Sequence, residues 1–191
     1  MWTDMSEIVR PTRDGIHGRE YISTGVELGR KLDHLTFDSK GQLVSAVPET
    51  IDIPIPILFD ITEYDLSSKI KEAILKAALS INTCVIMAAS EITPDMEKYN
   101  GTIIPCISHK EIEINQAILS KARLVAIEYN DSVLKHFPGL RENIRKLTQA
   151  LTIIRVPAVK NVEDIVAMLA QSGAEIIQIV ADYRGQEIKG P

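Results

Sequence analysis

Cysteine is scarce in this 191-residue chain: only Cys84 and Cys106 occur. Both sit among apolar neighbours in segments of strand character, where a buried free thiol is the expected state. No CxxC pair and no Cys/His cluster is present, so the sequence offers no metal centre. A basic excess is missing too. The net charge is −5 and the pI about 5.4, with no Lys/Arg block and no aromatic-and-basic face, which argues against nucleic acid as a partner. Long apolar runs are absent. IPIPILF and EIIQIVA are far too short to span a bilayer. Met1-Trp2-Thr3-Asp4-Met5 lacks the basic and apolar regions of a signal peptide. These absences together predict a soluble, cytoplasmic protein with neither a nucleic-acid nor a membrane partner.

What is present is enough for one sizeable core, since 45% of the residues are hydrophobic. Residues 1–50 stand apart, rich in Gly, Arg and His and poor in apolar stretches. They read as an extended N-terminal arm with short elements, ending at a turn around Lys40-Gly41. Within it, Arg13–Glu20 is dense in charge and glycine and reads as an exposed turn, with a clasp for a partner or a phosphate as the alternative.

Residues 51–191 form the second unit, where strands and helices alternate. Strands are expected at Ile55–Ile61, Cys84–Ala89, Thr102–Ile107, Leu124–Glu128, Ile153–Val156 and Ile176–Val180. Helices are expected at Leu66–Ser80, with Asp65 as N-cap and Ile70, Ala73, Ile74, Ala77 and Ala78 buried, at Pro94–Tyr99 after Thr93, and at Ile112–Ser120 and Leu140–Gln149. His136-Phe137-Pro138-Gly139 reads as a turn. A last helix follows Asn161, carries Ile165, Val166, Met168 and Leu169 at helical spacing, and ends at Ser172-Gly173-Ala174. The strands lack polar alternation, as in a sheet covered on both faces. The fold class is therefore α/β, with parallel β/α units. Periodicity alone does not decide between an open sheet and an incomplete TIM-barrel-like sheet of about six strands. In either form, chemistry gathers at the carboxyl ends of the strands, which directs attention to the loop after Val180.

Taken in order, several of these segments resemble the flavin-binding synthase domain of glutamate synthase large subunits. Gly29–Phe37 resembles that family's RRPLPxFDDLVF segment, and Ile53-Pro54-Ile55-Pro56-Ile57 its first barrel strand. Ala126-Ile127-Glu128 is similar to its AIEIKIGQG strand, and Ile154-Arg155-Val156-Pro157-Ala158 to its VKI(V/P)A strand. Ser172-Gly173-Ala174-Glu175 resembles its AGAD, and Asp182-Tyr183-Arg184-Gly185 falls where the family has a GGTGAAP phosphate loop. The resemblance implies a flavin-type barrel, FMN as cofactor, and oxidoreductase chemistry that moves amide nitrogen to 2-oxoglutarate. It places cofactor contacts at Arg155, Glu128, Asp182, Arg184 and Gly185. Arg155 stands where the family has a flavin-contacting lysine, and a cation there could stabilise a reduced flavin ring; its alternative partner is Glu128 on the neighbouring strand.

The departures are as informative. The family's GEGG becomes Met87-Ala88-Ala89-Ser90-Glu91, and its Lys with GQG becomes Tyr129-Asn130-Asp131-Ser132. The cysteines that hold its iron–sulfur cluster have no counterparts, so no such cluster is expected. Six β/α units also leave a sheet edge to cover, which predicts a homo-oligomer or a second chain completing the barrel. The leading expectation is a glutamate-synthase-like barrel protein, either degenerate (a pseudoenzyme) or a split FMN subunit. The alternative is a non-redox α/β module binding a small anionic metabolite. Asp60, Glu91, His109, Glu128 and Asp131 would ring the strand ends in either case. No nucleophile, general base or metal constellation marks an autonomous enzyme.

Overall fold

The computed structural model describes residues 25–29, 34–45, 50–148 and 150–188. Most of the expected arm, including Arg13–Glu20, lies outside these residues, as do positions 30–33 of the family-like segment, Gln149 and the terminal Lys189–Pro191.

Two short strands come first, β1 (Val26–Leu28) and β2 (Ile51–Ile53). They pair antiparallel, with Val26 opposite Ile53. Between them, the Asp38 carboxylate accepts from the backbone N–H groups of Lys40 and Gln42, both at 2.8 Å, and Gly41 takes φ +75. This is the turn anticipated at Lys40-Gly41, and its left-handed residue favours glycine.

Six strands follow in one parallel sheet: β3 (Phe59–Asp60), β4 (Val85–Ala88), β5 (Ile103–Ile107), β6 (Leu124–Glu128), β7 (Leu151–Pro157) and β8 (Ile176–Val180). Their spatial order is their chain order. A doubly wound open sheet reverses direction at a switch point; this one never does, which is the order of a barrel segment. The sheet also curls. Asp60 on the first strand reaches Arg155 on the fifth and Gln178 on the sixth. The expected incomplete barrel of six strands is the architecture observed.

Residues alternate strictly between the two faces. Outward positions Ile107, Val125, Ile127, Ile154 and Val156 pack on the helices α2 (Gln116–Leu119), α3 (Asp131–Leu147) and α4 (Val162–Gln171). At the other end, Val85, Met87 and Ile103 pack on α1 (Ser68–Ser80) and on the 3₁₀ segment Pro94–Tyr99. The inward positions Ile86, Ile104, Leu124, Ala126 and Ile153 meet Ile51 and Ile53 of β2, with Val26 and Leu28 of β1 against them. The β1–β2 hairpin, one strand from the arm and one from the start of the second unit, thus covers the concave face of the half-barrel.

Several expectations need correction. The first barrel strand is not Ile55–Ile61, nor the family-like Ile53–Ile57. Pro54 and Pro56 cannot donate to a ladder, so pairing with β4 starts only at Phe59, and Ile51–Ile53 joins the hairpin. In α1 the cap residue is Ser67, and the buried positions are Lys71, Leu75 and Ala78. Leu75 packs against the sheet with Val85 and Met87, and the buried Lys71 stem carries its ammonium out to Glu91 at 2.9 Å. Ile70 and the small Ala73 and Ala77 turn outward instead, with Ile70 49% exposed. The expected helix at Ile112–Ser120 is mostly turn, with only Gln116–Leu119 helical. Helix α3 runs straight through the expected turn at His136–Gly139. Pro138 forfeits one helical hydrogen bond, but Val133, Phe137, Leu140 and Ile144 form a continuous buried stripe that outweighs it. Strand β8 is half-buried rather than buried, because it is a sheet edge.

Candidate functional site

Inward positions at the carboxyl ends of the strands are Asp60 on β3, Cys106 on β5, Glu128 on β6, Arg155 on β7 and Gln178 on β8. The registers place Glu128 opposite Arg155, and Arg155 opposite Gln178. In a closed barrel, side chains of alternate strands share one layer. Asp60, Cys106 and Arg155, from β3, β5 and β7, do so here. Arg155 donates from Nη2 to Asp60 Oδ2 at 2.6 Å and from Nη1 to Cys106 Sγ at 3.3 Å. Gln178 Nε2 adds a hydrogen bond to the same Asp60 oxygen at 3.2 Å. The other oxygen, Oδ1, accepts from the backbone N–H and hydroxyl of Thr62.

Burial opposes the charge on Arg155, whose side chain is 6% exposed, but the contact with Cys106 and the charge of Asp60 outweigh it and move its pKa up. Burial also pushes the Cys106 thiol up, with the negative Glu128 and Asp60 adding and Arg155 opposing. The raised thiol stays protonated at neutral pH, beside the ion pair of Arg155 and Asp60. Two buried polar atoms in the layer meet no partner among the described residues: Arg155 Nε and Gln178 Oε1.

Above the layer lies a cavity of about 130 Å³, lined by Asp60, Glu63, Tyr64, Arg155, Val180, Ala181, Asp182 and Tyr183. Of the residues expected to contact a cofactor, the structure brings Arg155 and Asp182 to this cavity. Arg184, Gly185 and Glu128 are not part of its wall. The turn after β8 is closed on itself: Asp182 Oδ1 accepts from the backbone N–H of Arg184 at 2.8 Å and of Gln186 at 2.7 Å. Gly185 supplies the φ of +74 and donates to the Asp182 carbonyl at 2.9 Å. The N–H groups of Arg184, Gly185 and Gln186 are therefore already used, and the Arg184 guanidinium lies over the Tyr183 ring, 5.1 Å from its centroid. The neighbour-strand pairing of Arg155 with Glu128 is also replaced: its partner is Asp60, across the concave face.

The remaining ring residues have local partners. Glu91 pairs with Lys71. The Asn130 carboxamide caps α3 through Oδ1, accepting from Val133 N at 3.0 Å, and directs its Nδ2 to His109 Nδ1 at 3.0 Å. That arrangement makes His109 Nδ1 the acceptor. Asp131 is the first residue of α3, within 3.4 Å of the Tyr129 hydroxyl. Among the described residues, no three His, Cys, Asp or Glu side chains gather as a metal ion would require. No helix of the described residues is long and apolar enough to cross a membrane.

No family model, curated protein or solved structure matches this chain. The flavin expectation is therefore weighed on geometry. The cavity of about 130 Å³ is well below the roughly 300–1,000 Å³ of ordinary cofactor pockets. Below it the concave face is filled by Ile51 and Ile53 against Ile86 and Ile153. With Arg155 held by Asp60 and the phosphate-loop amides held by Asp182, FMN does not fit these residues as they stand.

The sequence pointed to the loops after Ile61 and Val180, which hold Glu63, Tyr64 and Tyr183, but gave no role to these residues or to Gln178. Gln178 carried a signal: it is the polar residue within IIQIV, in register with Arg155. The two tyrosines and Glu63 sit in loops, where no periodicity marks them.

Proposed function

We propose that this chain is a non-redox ligand-binding half-barrel module that holds a small polar metabolite at the carboxyl-end mouth. The observation that carries this reading is Arg155: a nearly fully buried guanidinium, paired with Asp60, that lines the cavity at the carboxyl ends of the strands. In parallel β/α folds ligands gather at the carboxyl ends of the strands, where this charge stands. A cytoplasmic location accords with two buried free thiols. The test is thermal melting of the full chain against small polar metabolites, beside the variant Ala181→Leu, which grows into the cavity. Ligands that raise the wild-type melting temperature should leave the variant unmoved. Hits that stabilise both proteins equally would place binding elsewhere and end this reading.

A second reading concerns assembly. The layer of Asp60, Cys106 and Arg155 supplies three of the four members that a closed barrel layer takes from alternate strands. Among the described residues β3 and β8 each pair on one side only, and exposed apolar side chains include Ile179 at 56% on β8, Ile70 at 49% on α1 and Met168 at 43% on α4. These features support a partner chain, or a second copy, that supplies further β/α units between β3 and β8. Sedimentation velocity should then report a species larger than the 21.2 kDa chain. A monomer up to high micromolar concentration would contradict self-association.

A further inference from the structure

We infer that the groove between the loop after β5 and the last two turns of α3 is a second binding site, taking a small carboxylate with an apolar body. It stands apart from the mouth and does not depend on the reading given to the mouth.

The groove encloses about 590 Å³, within the roughly 300–1,000 Å³ of ordinary ligand pockets. Its apolar surface comes from the buried Ile112 and Leu140 and the half-buried Leu147. His109, two residues past the end of β5, lines it from the carboxyl end of the sheet, where chemistry gathers in β/α folds.

This histidine is oriented from behind. The Val133 N–H is a fixed donor, so Asn130 turns Oδ1 to it at 3.0 Å and presents Nδ2 to His109 Nδ1, also at 3.0 Å. Nδ1 therefore accepts, and the ring proton sits on Nε2. Asn130 is not part of the groove wall. Nε2 meets no partner among the described residues and, unlike Arg155 Nε, is not shut off from solvent. The result is a donor held in place and open to an oxygen acceptor.

The charges of the wall select an anion. Lys110 forms no ion pair among the described residues. Lys146 pairs only with Glu142, one turn away at 3.1 Å, and an exposed pair of that kind holds it weakly. Glu113 is the one acid of the wall. A carboxylate thus meets two ammonium groups and a ring N–H against one like charge, whereas a cation meets the reverse. A bare inorganic anion would leave Ile112, Leu140 and Leu147 uncovered, so the body of the ligand is apolar.

The test titrates phenylacetate, phenylacetamide and 2-phenylethylamine, matched in size and different in charge, into the full-length, ¹⁵N-labelled chain. Two sets of NMR signals are followed: the His109 ring nitrogens and the backbone amides of Lys110, Glu113 and Lys146. Phenylacetate should move both sets and bind about fivefold tighter than phenylacetamide, with the amine weakest, as exposed charge pairs allow. Lys110→Gln should weaken phenylacetate about two- to threefold and leave phenylacetamide unchanged. Asn143→Trp, which grows into the groove from an exposed position of α3, should abolish the shifts without lowering the melting temperature. If phenylacetamide or the amine binds as tightly as phenylacetate, the carboxylate assignment is overturned. If no probe moves the His109 ring signals, or if the shifts persist in Asn143→Trp, the groove is not a site, and the reading of the mouth is untouched.

Discussion

Replacing Glu175 with alanine should destabilise the fold by about 3 kcal/mol at neutral pH, by removing the charge that ties α3 to the sheet. The Glu175 carboxylate, 4% exposed, accepts from Arg141 Nη2 at 2.9 Å and Arg145 Nη2 at 2.6 Å on that helix. Its second oxygen accepts from the backbone N–H and hydroxyl of Thr152 on β7, at 3.2 and 3.3 Å. Without it, the buried Thr152 and the partly buried Arg141 lose their acceptor together. The exposed Arg145 adds little, because water screens it. The same contact sets an acid dependence. Burial alone pushes the Glu175 carboxyl up, but the hydrogen bonds from Arg141 and Thr152 and the charges of Arg141 and Arg145 outweigh it and hold the pKa below its ordinary value. A depressed carboxylate stabilises the fold above its unfolded pKa, about 4.3, and that contribution is lost as pH falls through the lower folded value. Urea melts at pH 7 and near pH 3 should therefore converge for wild type and Glu175→Ala at the acid end. A difference that persists unchanged at low pH would contradict this assignment.

Asp60→Ala should cost a similar amount, about 3 kcal/mol, for a different reason. It leaves the guanidinium of Arg155 buried with only a thiol beside it, and Gln178 Nε2 without its acceptor. Asp60 is itself 30% exposed, so its own desolvation is modest and most of the loss belongs to the stranded Arg155. Asp60→Ala combined with Arg155→Met removes the stranded charge. The double variant should be more stable than Asp60→Ala alone, a direction that surface pairs do not produce. If the two substitutions add without coupling in urea denaturation, the side chains do not meet and the sheet is less curled than described.

The contrast between what was readable and what was not follows from the physics of each segment. Strands β4 to β7 announce themselves as β-branched runs, because a sheet covered on both faces needs no polar alternation. Their order in space is invisible in such runs. Invisible too is the curl that brings Asp60 to Arg155, 95 residues away in sequence. Pro138-Gly139 misleads because local turn chemistry is strong there, while the packing of Phe137, beneath the same helix and fully buried, is a tertiary effect. The phase of α1 fails for a related reason. Ile70, Ala73, Ile74 and Ala77 make a fair apolar stripe, yet Lys71, which looks like a surface residue, takes the buried place through its pairing with Glu91. In the site, Arg155 was legible as a charge inside a hydrophobic strand. Its partner was not: register points to the adjacent Glu128, and only the curl of the sheet brings Asp60 across instead.

The choice between a flavin barrel and a small-ligand module turns on the mouth. The measurement that tests it most directly is a visible absorption titration of FMN with the full-length chain. With a cavity of about 130 Å³, a concave face filled by β1 and β2, and a turn whose amides are held by Asp182, the flavin spectrum should stay that of free FMN at every protein concentration. A saturable shift of the flavin bands, lost in Arg155→Met, would show that the mouth opens to the cofactor and would contradict the small-ligand account.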